Sequence, residues 1–208
     1  SLATPSVAID CRGCGRSDLG DVNKFSPDAL VEDVKSLVQS HALLRNKSFV
    51  LVGHSMGGRV AMCYAAKYPN DVSSLVIEDM DIKRRSVNSN FIKKFDEKKA
   101  MAFSRRHETL DGVKKELDSI GYPSDMYTKW IDEGRISEDS GDNDGKIWSD
   151  VNPAFRALCY RTIFDSDSGT DSWSIIVRNI QQQTTGGTPV VHLMVAGIGT
   201  VCDEKSIE

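Results

Sequence analysis

Apolar positions along this chain fall into short runs and helical stripes that alternate. Val7 to Ile9 is a first strand candidate, and the turn CRGCGRSD follows it at once. Ser26-Pro27-Asp28 reads as a helix start, with a hydroxyl cap and proline in the first turn. Leu30, Val31, Val34, Leu37, Val38 and His41 then recur at helical spacing and predict an amphipathic helix, with His41 at the edge of its buried face. Phe49 to Val52 predicts a buried strand, Arg59 to Tyr68 a helix stopped by Pro69, and Leu75 to Ile77 a third strand. Strand, helix, strand, helix, strand with short links is the signature of a parallel sheet covered by helices.

From Lys83 the pattern changes. Lys83 to about Asp150 is polar, charged and mostly helical in its spacing, with breaks at Gly121-Tyr122-Pro123 and at the run SEDSGDNDG. That run carries aspartates but lacks the EF-hand ligand pattern and its terminal glutamate, so it reads as a solvated loop. Asn152 to Ile180 is helical again, interrupted near Ser166 to Asp171, and a last strand is expected at Val190 to Val195 after TTGGTP. No internal repeat is visible.

Composition narrows the class of protein. The 208 residues are 39% hydrophobic and 27% charged, as expected of a globular chain with a real core. A net charge of −4 argues against nucleic acid as the main partner, because phosphate binding needs a basic face. No apolar run approaches the roughly 20 residues that span a bilayer. The opening SLATPSVAID has no initiator Met, basic n-region or apolar signal core, so the first residue is not expected to start the gene product. Five cysteines, an odd and scattered set, suit a reducing compartment better than a disulfide framework. Cys11 and Cys14 form a C-x-x-C, but no second Cys/His pair lies at ligand spacing. The pair therefore reads as part of a tight turn, and neither a metal nor a cofactor is expected.

Chemistry concentrates in FVLVGHSMGGRV, Phe49 to Val60. Gly53-His54-Ser55-Met56-Gly57 is a G-x-S-x-G between a predicted strand and a predicted helix. A sharp strand-to-helix turn would hold Ser55 at the top of the sheet, with glycines two positions either side relieving the crowding. The Met56 N–H, at a helix N-terminus, would point at an oxyanion.

Two further blocks extend this into a resemblance. Asp10-Cys11-Arg12-Gly13-Cys14-Gly15-Arg16-Ser17 resembles the D-x-R-G-x-G-x-S turn after the fourth strand of the α/β-hydrolase superfamily. Leu75-Val76-Ile77-Glu78-Asp79-Met80-Asp81-Ile82 resembles its sixth strand and exit. The resemblance runs over residues 5–82 and again over 145–208, and is greatest to small esterases and thioesterases with a helical cap. It implies an α/β-hydrolase fold, a mostly parallel sheet flanked by helices. The core would be residues 1–82 and 151–208, interrupted by a cap at 83–150, and the fold incomplete. It also implies Ser55 as nucleophile and Met56 as oxyanion donor. The triad acid would be Asp79 after the sixth strand, with Asp81 and Asp203 as alternatives. The expected place after the seventh strand, Gly197 to Cys202, holds no carboxylate.

The same resemblance places the catalytic histidine in a loop after an eighth strand and the second oxyanion donor after a third strand. Neither is expected within these residues, since His41, His54, His107 and His192 match no catalytic position. The implied activity is hydrolysis of a small acyl ester or thioester through an acyl-Ser55 intermediate. The competing expectation is an inactive hydrolase-like domain, an accessory subunit whose protein partners cover the incomplete sheet.

Overall fold

The computed structural model describes residues 5–84, 96–138, 144–182 and 190–194. After a 3-10 turn at Val22–Lys24 come α1 (Pro27–Ser40), β1 (Phe49–His54), α2 (Met56–Lys67), a 3-10 turn (Pro69–Asp71) and β2 (Val72–Glu78). Next are α3 (Glu97–Ala102), β3 (Arg106–His107), α4 (Leu110–Ile120), α5 (Ser124–Asp132), β4 (Ile136–Glu138) and β5 (Ile147–Ser149). The last are α6 (Pro153–Leu158), a π-helical turn (Cys159–Phe164), α7 (Ser168–Gln182) and β6 (Val190–Met194). The chain divides into two compact units, one of Ser1–Ala8, Asn23–Arg85 and Arg161–Glu208, the other of Ile9–Val22 and Ser86–Tyr160. Of the segment 83–150 expected as a cap, 83–85 fall in the first unit and the rest is grouped with 9–22 and 151–160.

The first unit is built on a parallel sheet in the order β1-β2-β6. Leu51, Leu75 and Val191 stand in one row across it, Val52, Val76 and His192 in the next. Parallel strands require crossovers, and α2 makes the one between β1 and β2. The N-terminus of α1 forms as its sequence dictates: Ser26 is extended, its hydroxyl accepts from the Ala29 N–H at 3.1 Å, and Pro27 follows. Leu30, Val31, Val34 and Val38 are buried on its inner face. His41 caps the C-terminus, its backbone N–H donating to Leu37 O at 2.8 Å. Val50, Val52 and Val190, in contrast, are 57%, 61% and 58% exposed, so one face of the sheet carries an uncovered apolar row.

Two expectations need correction here. Val7 to Ile9 forms no strand; no described strand lies beside it to supply a hydrogen-bonded ladder, and Ile9 is exposed. Helix α2 begins at Met56, three residues before the expected Arg59, because Gly57-Gly58 hides the start of a stretch whose fixed contacts override propensity. The TTGGTP turn and residues beyond Met194, Asp203 among them, lie outside the described residues.

The second unit has its own core, including Phe103, Val113, Leu117, Ile120, Tyr122 and Trp130. Tyr122 and Trp130 meet edge-on at 5.3 Å. Helix α4 starts on Thr109, whose hydroxyl accepts from the Gly112 N–H at 3.1 Å, and ends on Gly121 at φ 104°. The segment is less helical than its spacing predicts: β3, β5 and β4 make a small antiparallel sheet in that order. Within the acidic run, residues 139–143 lie outside the described set; Asp144 pairs with Arg106 at 2.9 Å.

The turn at residues 10–18 also belongs to this unit, and its spacing has a physical cause. The Asp10 carboxylate accepts from the Arg16 N–H at 3.3 Å, and the Ser17 hydroxyl donates to Asp10 O at 2.7 Å. Gly15 sits at φ 48°, and a Cβ there would lie 2.0 Å from Asp10 Oδ2. Gly13, at φ 76°, would likewise run into Leu19 and Phe155. The Arg105 guanidinium fastens the turn, donating to the carbonyls of Gly15 and Ser17 and, at 2.9 Å, to that of Ser149. Cys11 and Cys14 are part of this geometry, with the Cys14 N–H donating to Cys11 O at 2.8 Å. Burial, with Cys11 nearby, pushes the Cys14 thiol up to about 12, so it stays protonated at neutral pH. Among the described residues no group of three His, Cys, Asp or Glu side chains is arranged to hold a metal ion.

Candidate active site

Strand β1 ends at His54 and α2 begins at Met56, so one residue, Ser55, makes the entire turn. Its backbone lies at φ 51°, ψ −123°, positive φ for a side chain with a Cβ and outside the left-handed helical well. Such a conformation costs on the order of 1–3 kcal/mol and persists only where neighbouring contacts over-determine it. Here they do. The Ser55 N–H donates to Glu78 O at 2.8 Å, and Ser55 O accepts from Gly58 at 2.8 Å and Arg59 at 3.4 Å. A serine in this position ordinarily caps its helix from an extended backbone. The Ser55 side chain makes no capping bond, so its hydroxyl is not spent on the helix.

Glycine explains how the strand and helix can approach. A Cβ on Gly53 would lie 2.3 Å from Gly57 O and 2.7 Å from Gly58 N, inside backbone that cannot move aside cheaply. The expectation for Gly57 was different and does not hold: a Cβ there would meet nothing within 4 Å. The second crowded glycine is Gly58, whose Cβ would lie 3.0 Å from Met80 Cβ and 3.1 Å from Gly53 O. Gly58 was missed because the motif counts from the serine, whereas the crowding comes from Met80, just past β2, with Gly53 and Ile77.

Met56 is the first residue of α2, and its N–H is one of the amides that helix geometry leaves without an intrahelical acceptor. At that end the macrodipole is positive. Asp79 is half-buried, directly after β2, and at φ 48° is another non-glycine residue held at positive φ. The register pairs His54 with Glu78, so Ser55 and Asp79 are the next residues on two adjacent parallel strands. Both sit at the carboxyl edge of the sheet, where open α/β sheets bind their ligands.

The alternatives fare differently. Asp81 is buried and its carboxylate is 3.7 Å from the guanidinium of Arg59, which commits it to a buried ion pair. The four histidines are dispersed. His54 and His192 are exposed on β1 and β6. His41 Nδ1 accepts from the Leu43 N–H at 3.3 Å. His107 is buried in the second unit, its Nδ1 3.5 Å from Glu116.

Sequence reasoning missed Arg59. It is fully buried, one turn into α2, and its guanidinium donates to Asp81 O at 3.0 Å, Lys83 O at 2.9 Å and Ile163 O at 3.5 Å. A buried charge is tolerated only when it is paired and hydrogen-bonded, and here the two terminal nitrogens take the partners while Nε has no hydrogen bond among the described residues. The one signal in the sequence is an arginine within the otherwise apolar stretch VAMCYAA and its glycines.

Comparison with known proteins agrees with this architecture. A family profile described as alpha/beta hydrolase fold matches residues 5–119, more than half of the chain. The chain belongs to that family. It is 33% identical over 114 residues to human monoacylglycerol lipase ABHD6, covering 55% of this chain and 34% of the lipase. It is 36% identical over 85 residues to the sn-1-specific diacylglycerol lipase ABHD11 of Danio rerio, covering 41% of this chain and 25% of that protein. The chain thus spans about a third or less of the length of these relatives. Among solved structures, a marine microorganism esterase superposes with a TM-score of 0.58 at 20% identity, covering 95% of this chain and 68% of the esterase. The thioesterase domain from the curacin biosynthetic pathway gives 0.50 at 15% identity, covering 90% and 73%. At such identities these two speak for the fold alone. Among the described residues no helix is long and apolar enough to cross a membrane.

Proposed function

We propose that this chain carries the nucleophile side of a serine hydrolase that cleaves an ester or thioester through an acyl-Ser55 intermediate. The observation that carries the reading is the strained Ser55 turn, with its hydroxyl left out of the helix cap. In this reading Ser55 attacks the acyl carbon, the Met56 amide receives the developing oxyanion, and Asp79 orients the histidine that takes the serine proton. No histidine of this chain fills that role, so the reading assigns the base and the second oxyanion donor to polypeptide beyond these residues. Residues 83–150 take the part of the cap that selects the acyl group. Acylglycerols are the first esters to try, since two relatives are named as lipases for them.

The test uses full-length protein, a fluorophosphonate probe and Ser55→Ala. Labelling should vanish in the variant and turnover should fall about 10⁶-fold, as for the nucleophile of a well-studied serine protease. The 208 residues alone should label little. Wild-type turnover in Ser55→Ala would end this reading.

A second reading, a non-catalytic domain with a protein partner, is favoured by the exposed row Val50, Val52 and Val190, since parallel sheets are normally covered on both faces. Absence of labelling in the full-length protein would select it.

A further inference from the structure

We infer that Arg59 is a positioning residue that couples the nucleophile turn to the loop bearing the candidate acid. The inference rests on the reading of Ser55 and Asp79 given above and extends it to a residue that touches neither substrate nor reacting atoms.

Arg59 is tied at both ends. Its backbone N–H donates to Ser55 O at 3.4 Å, so it stands one helical turn behind the nucleophile. Its guanidinium donates to Asp81 O and Lys83 O, two and four residues past Asp79, and approaches Met80 Sδ at 4.0 Å. The Asp81 carboxylate balances its charge at 3.7 Å. These groups grip the chain just after a residue held at φ 48°. An aspartate left in that conformation without restraint would relax toward negative φ and carry its carboxylate away. Both carbonyls accept from Nη2, whose two N–H bonds are fixed in the guanidinium plane, so the loop is held in a set relation that the freely rotating ammonium of a lysine does not impose.

The surroundings are shaped to admit the guanidinium. Gly169, in the first turn of α7, faces it: a Cβ there would lie 2.6 Å from Arg59 Cζ, 2.7 Å from Nε and 2.5 Å from Ile82 O. The glycine, the arginine and the loop therefore form one fitted assembly.

Full-length protein would be assayed on a soluble acyl ester as Arg59→Met, Arg59→Lys, Asp79→Asn, Ser55→Ala and the double variant Arg59→Met/Asp79→Asn. Arg59→Met should lower kcat by about 10²-fold, the order expected of an ångström-scale misplacement, with KM unchanged. Arg59→Lys should recover little. The deciding readout is non-additivity: with Asp79 already replaced, Arg59→Met should cost nothing further in kcat, because the group it positions is gone. An equal loss in both backgrounds, or wild-type kcat in folded Arg59→Met, overturns the inference while Ser55→Ala still reports on the hydrolase reading. If Ser55→Ala is itself active, the underlying reading fails instead. Should Arg59→Met not fold, Gly169→Ala decides by the same cycle, since it displaces the guanidinium without removing its charge.

Discussion

Both units hold sharply bent backbone at positive φ, but with different residues. In the second unit the turn at 10–18 uses glycine, with Gly13 at φ 76° and Gly15 at φ 48°. In the first unit positive φ is taken instead by Ser55 at φ 51° and Asp79 at φ 48°. Glycine reaches these angles without steric cost; serine and aspartate do not. The 10–18 turn needs a shape, and its glycines supply that alone. The loops after β1 and β2 keep side chains where glycine would be more stable, and two adjacent strand ends do so in register. Strain retained in that way is the feature on which the proposed roles of Ser55 and Asp79 rest. The means of restraint differ accordingly: Arg105, partly exposed, ties down the glycine turn, while a fully buried Arg59 holds the strained one.

The largest expected effect tests whether close backbone approach, rather than the motif as written, shapes the Ser55 turn. Gly53→Ala pushes a methyl into Gly57 O and should destabilise the protein by about 3 kcal/mol, the upper end for overpacking. Gly57→Ala enters open space at a helical position and should change stability by less than about 0.5 kcal/mol, because removing a helical glycine helps. Urea unfolding of both variants measures the difference. Equal losses would mean that the two glycines serve alike and that the crowding at Gly53 is not what requires it.

A smaller effect of opposite sign should follow from relieving the strain itself. Ser55→Gly removes the Cβ at φ 51° and should raise stability by about 1 kcal/mol, even as it removes the hydroxyl. Gly13→Ala, the reverse exchange in the other unit, should be destabilising. A destabilised Ser55→Gly would show that the turn is not strained, and the contrast between the units would fall.

How much of this the sequence discloses depends on the reach of each contact. Strands β1, β2 and β6 are legible because each is an apolar run between turn signals, and α1 because Ser26 and Pro27 mark its start. Ser55 is legible because an elbow concentrates its requirements within five residues. The strands β3, β4 and β5 are not, since two or three residues are too few to show a period. Gly58 and Arg59 are hidden for another reason. What crowds Gly58 is Met80, and what satisfies Arg59 is Asp81, Lys83 and Ile163, more than twenty positions away in sequence. An arginine on a helix otherwise reads as a surface residue, and only the fold shows that it points inward.

The smallest effect concerns charge and again separates the units. In the first, Asp71 accepts from Lys35 Nζ at 2.7 Å and from the buried Tyr64 hydroxyl at 2.6 Å, joining α1, α2 and the turn before β2. Burial alone would push its carboxyl up; the hydrogen bonds from Lys35 and Tyr64, with the Lys35 charge, outweigh it and hold it below its ordinary 3.8. A carboxyl depressed in the folded state adds stability above its unfolded pKa and loses it as pH falls through the folded value. The Asp71 contribution should therefore be complete at about pH 5 and above and be lost progressively as the pH falls below 3.8 and through the lower folded value. Asp71→Asn should cost about 1 kcal/mol at pH 7, with the difference from wild type shrinking as the pH is lowered through that range. In the second unit, Asp111 meets Lys115 at 2.8 Å on an exposed helix face, and water screens such pairs. Asp111→Asn should leave the urea midpoint unchanged at either pH. A pH-independent loss in Asp71→Asn would mean that the network acts through shape and not through the charge of the carboxylate.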